Sequence, residues 1–435
     1  LNTDKEIINF LNEEIQSKEG FLDFLGEDFS YATHSYHGYP ATMIPLLPKL
    51  FIEAVTKFKK ISSIYDPFAG SGTTLVESSL HGIDSVGVDL NPLATMMSRV
   101  KTNILDENEL EKEKNNLFDD ITYEKNQFEK GNKELNIPNF KNIDYWFKDY
   151  VINDLEIIKE QIQKISDDEF REFFLLCFSS TCRYVSNTRN SEFKMYRIPP
   201  EKMESWKPDV FGKFFEIVNR NVELNNKSKK MSGNTKVILG TSANTPSIPN
   251  NSFDMLITSP PYGDSKTTVA YGQFSRTSLQ WLDLDEMKAD QVPKLDSKLL
   301  GGKVKSKEIV KTQSKKLNEM LDNISKVDMK RALEVSQFYQ DLYETLKEIS
   351  RVMKPGSYQF WVTANRTVKG FQLGTDEIIT ELYSSLGIKK IAEFDRNIPN
   401  KRLPSKNSPT NKKGKLTSTM NKENIVMYKK NDEEE

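Results

Sequence analysis

Two short runs in this 435-residue sequence hold residue types that do chemistry at a defined spacing. The first is Ile64 to Thr74, I-Y-D-P-F-A-G-S-G-T-T. A β-branched and aromatic run (Ile61, Ile64, Tyr65) enters it, Gly70 and Gly72 bracket Ser71, and an amphipathic run from Thr73 to Leu80 leaves it. Strand, tight glycine turn and helix in that order bring bare backbone N–H groups close to a ligand at a helix N-terminus. Farther on, Ser85 to Asp89 (S-V-G-V-D) reads as a second strand ending in a carboxylate. In a nucleotide-type α/β site that acid is placed to accept hydrogen bonds from ribose hydroxyls. The second run is Ser259-Pro260-Pro261-Tyr262, delivered by a buried-strand pattern from Phe253 to Thr258. Ligands of open α/β sheets bind at the carboxyl ends of strands. Ser259 Oγ and the Pro260 carbonyl are two acceptors, and consecutive prolines fix φ and hold that carbonyl in place before any reaction. Tyr262 adds a flat face for stacking. Each run alone has an ordinary structural reading, since glycine turns pack helices on strands and Pro-Pro-Tyr occurs in loops. Their coexistence in one chain favours a site.

With Asp66-Pro67-Phe68 leading in and Asp89 beyond, the first run resembles motif I of the DNA amino-methyltransferases, whose cofactor is S-adenosyl-L-methionine (AdoMet). The resemblance implies cofactor contacts from Asp66, Phe68, Ala69, Gly70, Ser71, Gly72, Thr73, Asp89 and Leu90. One helix upstream, His37-Gly38-Tyr39-Pro40-Ala41 resembles the family's motif X, which lies against the methionine end of AdoMet. It implies that His37 sits near the cofactor carboxylate; a plain structural loop is the alternative. Ser259-Pro260-Pro261-Tyr262 is similar to the family's catalytic motif.

The chemistry fits that motif. An exocyclic nucleobase amine is a poor nucleophile because its lone pair is delocalised into the ring. Acceptors such as Ser259 Oγ and the Pro260 carbonyl localise the lone pair by taking the amine hydrogens, Pro261 stiffens the loop, and Tyr262 offers a surface for a flipped base. No cysteine follows the prolines, which argues against cytosine C5 chemistry, where a thiolate attacks the ring. Family members with Ser before Pro-Pro-Tyr mostly methylate cytosine N4, and those with Asp or Asn there mostly methylate adenine N6. The resemblance therefore implies a cytosine-N4 enzyme of a restriction–modification system, with adenine N6 as the alternative. More distant readings are an RNA base methyltransferase, for which no RNA-binding module is recognisable, and a catalytically inactive DNA-binding subunit. Intact Asp66, Gly70, Gly72, Asp89 and Ser259 to Tyr262 argue against the last. No nuclease motif is evident, so the expected partners are double-stranded DNA and a cognate restriction endonuclease in a separate chain. The cofactor motif precedes the catalytic motif here, whereas many Ser-Pro-Pro-Tyr enzymes have the reverse order. The place of target recognition is therefore not carried over from them.

The elements that position these runs follow from periodicity. Alternating strand and helix patterns support a doubly wound α/β domain. The resemblance adds a Rossmann-like AdoMet-dependent methyltransferase fold, with a seven-stranded, mostly parallel sheet, one antiparallel strand and helical insertions. Three regions are expected: 1–103 with N-terminal helices, motif X and the cofactor motifs; 104–235 as a helical insert and candidate target-recognition region; and 236–435 as the catalytic half, with a 264–331 insertion and a basic 396–415 loop. Later strands are expected at Lys236–Gly240, Ser357–Val362, Ile388–Phe394 and Asn424–Tyr428, with Lys354-Pro355-Gly356 stopping a helix before the second of these.

Composition bounds the rest. Hydrophobic residues at 37% and aromatics at 10% supply a core, and no apolar run approaches a membrane span. No basic-then-apolar leader opens the sequence, so secretion is not expected, and the resemblance implies a cytoplasmic prokaryotic protein. Cys177 and Cys182, in an apolar helical stretch, read as buried core, and no Cys/His cluster has metal-ligand spacing. The net charge is −2, so any nucleic-acid surface must come from local segregation of charge. Expected DNA contacts are Arg183, Arg189 and Arg197 in the insert, Arg276, and Lys401 and Arg402 in the basic loop that begins at Arg396. The run from Lys298 to Lys316, with seven lysines against one Glu, is held in reserve as a backbone clamp.

Overall fold

The computed structural model describes residues 2–190, 194–228, 230–264, 267–398, 406–407, 417–418 and 422–432. The first region holds α1 (Asn2–Gln16), α2 (Leu46–Thr56), β1 (Ser63–Asp66), α3 (Thr73–Leu80), β2 (Asp84–Asp89) and α4 (Pro92–Thr102). The insert is helical: α5 (Glu107–Glu129), α6 (Ile143–Trp146), α7 (Asp149–Gln163), α8 (Asp168–Val185), α9 (Pro200–Met203) and α10 (Val210–Lys227). Then follow β3 (Thr235–Leu239), β4 (Phe253–Thr258), α11 (Tyr271–Leu282), α12 (Lys315–Val327), α13 (Met329–Val352) and β5 (Met353–Thr363). A hairpin of β6 (Arg366–Val368) and β7 (Phe371–Leu373) leads to α14 (Thr375–Ser384), β8 (Ile388–Asn397), the short pair β9 (Lys406–Asn407) and β10 (Thr417–Ser418), and β11 (Lys422–Lys430).

Seven strands form one sheet in the order β3-β2-β1-β4-β5-β11-β8. All neighbours are parallel except β11, which runs antiparallel to both β5 and β8. The family-derived expectation of one antiparallel strand is met. Side-chain alternation explains the layers, because successive residues of a strand face opposite sides. Ile64, Met255 and Phe360 point into one core with α1 and α2, where Phe51 stacks on Phe360 at 4.5 Å. Their neighbours Tyr65, Leu256 and Trp361 point into the other, with α12, α13 and α14. Central strands buried on both faces read as continuous apolar runs, as Met255-Leu256-Ile257 does in β4.

The insert builds a third core from α5, α7, α8 and α10 against α4. Highly charged α5 is held by a stripe of Leu110, Leu117 and Ile121 and by Asp106, whose side chain caps its first turn. Cys177 and Cys182 are buried free thiols of α8. This core is completed from the catalytic half. Trp281 of α11 lies edge-on to Phe140, Phe147 and Phe178. The insert and α11 therefore share one hydrophobic cluster, and residue 235 is not a packing boundary.

Two expectations need correction. Lys354-Pro355-Gly356 lies inside β5 rather than between a helix and a strand, because α13 ends at Val352. Gly356 takes φ +69° where the β4–β5 register shifts, so the segment is a bulge that keeps the strand paired. The 264–331 insertion also contains the regular helix α11, which the sequence reading did not separate from its surroundings. Lys401 and Arg402 lie outside the described residues. No helix among the described residues is long and apolar enough to cross a membrane.

Candidate active site

β1 delivers Asp66 to the carboxyl edge of the sheet. Its Oδ1 accepts from the Phe68 amide at 3.0 Å and from Thr258 Oγ1 at 2.7 Å. The glycine turn is thereby tied to the last residue of β4, immediately before Ser259. The two glycines do different jobs. Gly70 takes φ +49° and its amide donates to Asp89 Oδ2 at 2.9 Å. Gly72 takes φ +80° at the start of α3, and a Cβ there would stand 2.9 Å from the Ser98 backbone of α4. Asp89 Oδ1 accepts from the Asn91 amide at 2.8 Å. Burial pushes both Asp66 and Asp89 up to about 6, against hydrogen bonds that pull the other way.

An open cleft of about 880 Å³, solvent included, lies where β1, β2, β3 and β4 end. Asp66, Phe68, Ala69, Gly70, Ser71, Thr73, Asp89 and Leu90 line it, and so do Ser259 and Pro261. Gly72, Pro260 and Tyr262, next to these in the chain, are not among the lining residues. The two runs singled out in the sequence thus meet at one cavity, although nearly two hundred residues separate them. Its acceptors and backbone donors suit a polar ligand, and Phe68 and Leu90 add an apolar wall.

His37 is a correction. Its ring is buried, with Nδ1 2.6 Å from the Gly38 carbonyl and Nε2 2.8 Å from Ser179 Oγ of α8. Burial pushes it down to about 3. It faces the insert rather than the cleft, and the following residues, Tyr39 to Met43, line the cleft instead.

Several lining groups were not named from sequence. Asn91 stands at the start of α4. Its Oδ1 does cap α4 through the Leu93 amide, but its Nδ2 donates to Tyr39 Oη at 3.0 Å and Ser275 Oγ at 2.8 Å. It joins the motif X segment, β2 and α11 at the cleft floor, where Tyr39 packs on Tyr271 and Phe274. Ser242, after β3, donates to the Pro67 carbonyl and also lines the cleft. Leu299 and Leu300 reach it from the 264–331 insertion. The strand-end rule flags Ser242; nothing local flags the two leucines.

The loop after β4 is pinned from below. A Cβ at Gly263 would stand 1.5 Å from Arg366 Nη1, so any larger residue must displace that guanidinium. Asp264 accepts from Arg331 at 3.1 Å and Arg366 at 3.4 Å. Burial raises its pKa, but the two guanidiniums more than offset this and hold it below the ordinary carboxylate value. The Tyr262 hydroxyl donates to Glu423 Oε1 of β11 at 3.0 Å and lies 3.3 Å from Ser259 Oγ. Burial and then Glu423 push its phenol well up.

The basic residues divide. Arg183 packs over the Phe274 ring at 3.9 Å and donates to the Phe274 carbonyl, and burial pushes it down to about 10. It braces α8 against α11 rather than facing outward, which corrects its expected role. Arg396 is likewise buried, bonded to the Leu22 carbonyl and paired with Glu423. Arg276 of α11 is half-buried. Arg197 lies over the exposed Tyr145 ring at 4.1 Å, and exposed Arg189 is 6.0 Å from the exposed Tyr196 ring. A bridge between Thr188 and Arg197 holds these residues on one short loop. In the lysine-rich run, Lys305, Lys311 and Lys316 pair with Asp341, Asp322 and Glu377. Among the described residues no group of three His, Cys, Asp or Glu side chains is set to hold a metal ion.

Comparison with known proteins bears on this arrangement. The chain is 46% identical over 445 residues to the Type II methyltransferase M.MvaI of Kocuria varians, covering 98% of this chain and 97% of that protein. It is 34% identical over 108 residues to the Type II methyltransferase M.MjaII of Methanocaldococcus jannaschii, 23% of this chain and 20% of that one. Among solved structures, a SAM-dependent methyltransferase of Methanosarcina mazei aligns with a TM-score of 0.31 at 9% identity, over 87% of this chain and 97% of that one. No protein-family model matches.

Proposed function

Because the chain belongs to the Type II methyltransferases, AdoMet-dependent DNA-modifying enzymes of restriction–modification systems, we propose that it methylates the N4 amine of a cytosine flipped out of duplex DNA. One observation carries this reading: Ser259 and Pro261 line the same cleft as Asp66, Gly70 and Asp89. A planar amine entering there meets the Ser259 hydroxyl and the rigid Pro260 carbonyl as acceptors, and the donor side of the reaction across the cleft. AdoMet, when bound, supplies the electrophilic methyl. Asp89 and the Gly70 turn would hold its ribose and backbone-facing groups, with Asp66 beneath the turn as an anchor. Ser259 and Pro260 would draw the amine hydrogens, so that the nitrogen lone pair points along the line of attack. Tyr262 would stack on the base. Its hydroxyl bond to Glu423 fixes the ring without using either face.

DNA would be engaged by the insert. The exposed Tyr145 and Tyr196 rings carry Arg197 and Arg189 above them, a surface able to contact phosphate and base edges. Lys401 and Arg402 would add sequence-independent attraction. A restriction endonuclease cutting the same sequence would be its partner in the cell.

The test is incubation with mixed-sequence duplex DNA and methyl-labelled AdoMet, then nucleoside mass spectrometry. N4-methylcytosine is expected. N6-methyladenine would move the enzyme to the alternative base while leaving the amine chemistry intact. 5-Methylcytosine would refute the amine chemistry itself.

A further inference from the structure

We propose that Glu423 is a positioning residue that sets the direction of a hydrogen-bond chain ending at Ser259, so that the Ser259 oxygen meets an incoming amine as an acceptor. The inference rests on the amine-transfer reading above. It begins from counting hydrogens. The Tyr262 hydroxyl has one hydrogen and, among the described residues, two neighbours, Glu423 Oε1 at 3.0 Å and Ser259 Oγ at 3.3 Å. Glu423 is directly opposite Arg396 in the β8–β11 register, and Arg396 pairs with its other oxygen, Oε2. Arg396 is itself buried and held by the Leu22 carbonyl at 2.8 Å. A carboxylate facing a fixed guanidinium only accepts. The Tyr262 hydrogen therefore goes to Glu423.

The consequence falls on Ser259. With the Tyr262 hydrogen spent, the 3.3 Å contact between the two hydroxyls is made by the Ser259 hydrogen. Both Ser259 lone pairs are then left for other donors. A chain running the other way would aim the Ser259 hydrogen at the cleft, opposing the N–H of any amine there. Direction matters more than contact: the same three side chains, reversed, present a donor to a donor. The carboxylate also makes the hydroxyls better acceptors in series, because each donated hydrogen polarises the next. Neither Glu423 nor Arg396 lines the cleft, so both act only through Tyr262.

Glu423→Gln tests the chain with little change of shape. A glutamine whose oxygen stays on Arg396 turns its NH₂ toward Tyr262 and reverses every hydrogen. We compare wild type, Glu423→Gln, Tyr262→Phe and the double variant. The readouts are melting temperature, AdoMet affinity by calorimetry, and single-turnover methyl transfer to mixed-sequence duplex DNA. Glu423→Gln should bind AdoMet within about twofold of wild type yet transfer methyl about tenfold more slowly. Tyr262→Phe cuts the chain, so adding Glu423→Gln to it should cost less than about twofold. Rate losses that multiply in the double variant, or a Glu423→Gln enzyme at the wild-type rate, would overturn the proposal. If Glu423→Gln does not fold, the paired Arg396→Met/Glu423→Met change removes both charges together and enters the same cycle with the same expectation. The wild-type product separates the two failures. Methyl on a ring carbon sinks the amine reading and this chain with it, while an amine product with multiplicative losses sinks the chain alone.

Discussion

The Gly70 amide donates to Asp89 Oδ2 across 2.9 Å, so the turn after one strand and the acid after the next form a single unit. The same carboxylate takes the Asn91 amide on Oδ1, at the start of α4. An acid proposed to receive ribose hydroxyls is thus already oriented by two backbone donors before any ligand arrives.

Asp89→Ala should weaken AdoMet binding about tenfold or more, since each lost hydrogen bond is worth about 1 kcal/mol or more. It should also lower the melting temperature, because the Gly70 and Asn91 amides lose their acceptor. Calorimetry decides: unchanged affinity would place the ribose elsewhere.

Binding should depend on pH in a stated direction. Burial holds Asp89 up at about 6, above its ordinary 3.8. In the free protein the buried carboxylate costs stability above pH 6, and that cost is relieved as pH falls toward 4. Ribose hydroxyls donating to Asp89 favour the ionised form, so binding below pH 6 must expel a proton. AdoMet affinity should therefore drop between pH 7 and pH 5 in wild type and respond less in Asp89→Asn. Equal pH slopes for the two proteins would contradict the assignment.

Ser259→Ala and Tyr262→Ala should slow methyl transfer by at least about tenfold with AdoMet affinity held within a few-fold. Tyr262→Phe should be milder, because the ring face survives and only the hydroxyl chain is lost. Full turnover by Tyr262→Ala on duplex DNA would end the stacking role.

Lys101→Met should stabilise the protein. Lys101 is buried, its best hydrogen bond is a long 3.5 Å contact to the His37 carbonyl, and burial pushes it down to about 7. Its unfolded form binds a proton below about 10.4, its folded form only below about 7, so stability rises with pH across that window. The gain in melting temperature should be largest below pH 7 and fade toward pH 10. A gain that did not vary with pH would point to packing instead of charge.

Two kinds of DNA contact should separate. Arg189→Ala and Arg197→Ala should alter the set of methylated sites, as expected for groups reaching base edges. Lys401→Ala with Arg402→Ala should weaken binding to all sequences and flatten its dependence on salt. A salt titration with an unchanged slope would remove the basic loop from the interface.

Much of the site was legible because its signals are local. Asp66, the Gly70–Gly72 turn and Asp89 lie on consecutive strand–turn–helix elements, where spacing alone puts them at one sheet edge. Ser259 to Tyr262 announced themselves by ending an apolar strand. His37, Arg183 and Arg396 were misplaced for one reason: a polar side chain near a motif looks available in sequence, whereas packing turned each of them inward onto Ser179, Phe274 and Glu423. Leu299 and Leu300 gave no signal, since an insertion's path over a cleft depends on what it packs against.

What the sequence determined by itself was the order of the elements and the chemistry each strand end carries, because periodicity and turn residues act over a few neighbours. Only the tertiary structure decided that β1 lies between β2 and β4, which brings Asp66 within 2.7 Å of Thr258 and makes the two motifs one cavity. It alone also set Glu423 against Tyr262. That pairing joins positions 161 residues apart through the antiparallel return of β11, and no local pattern records it.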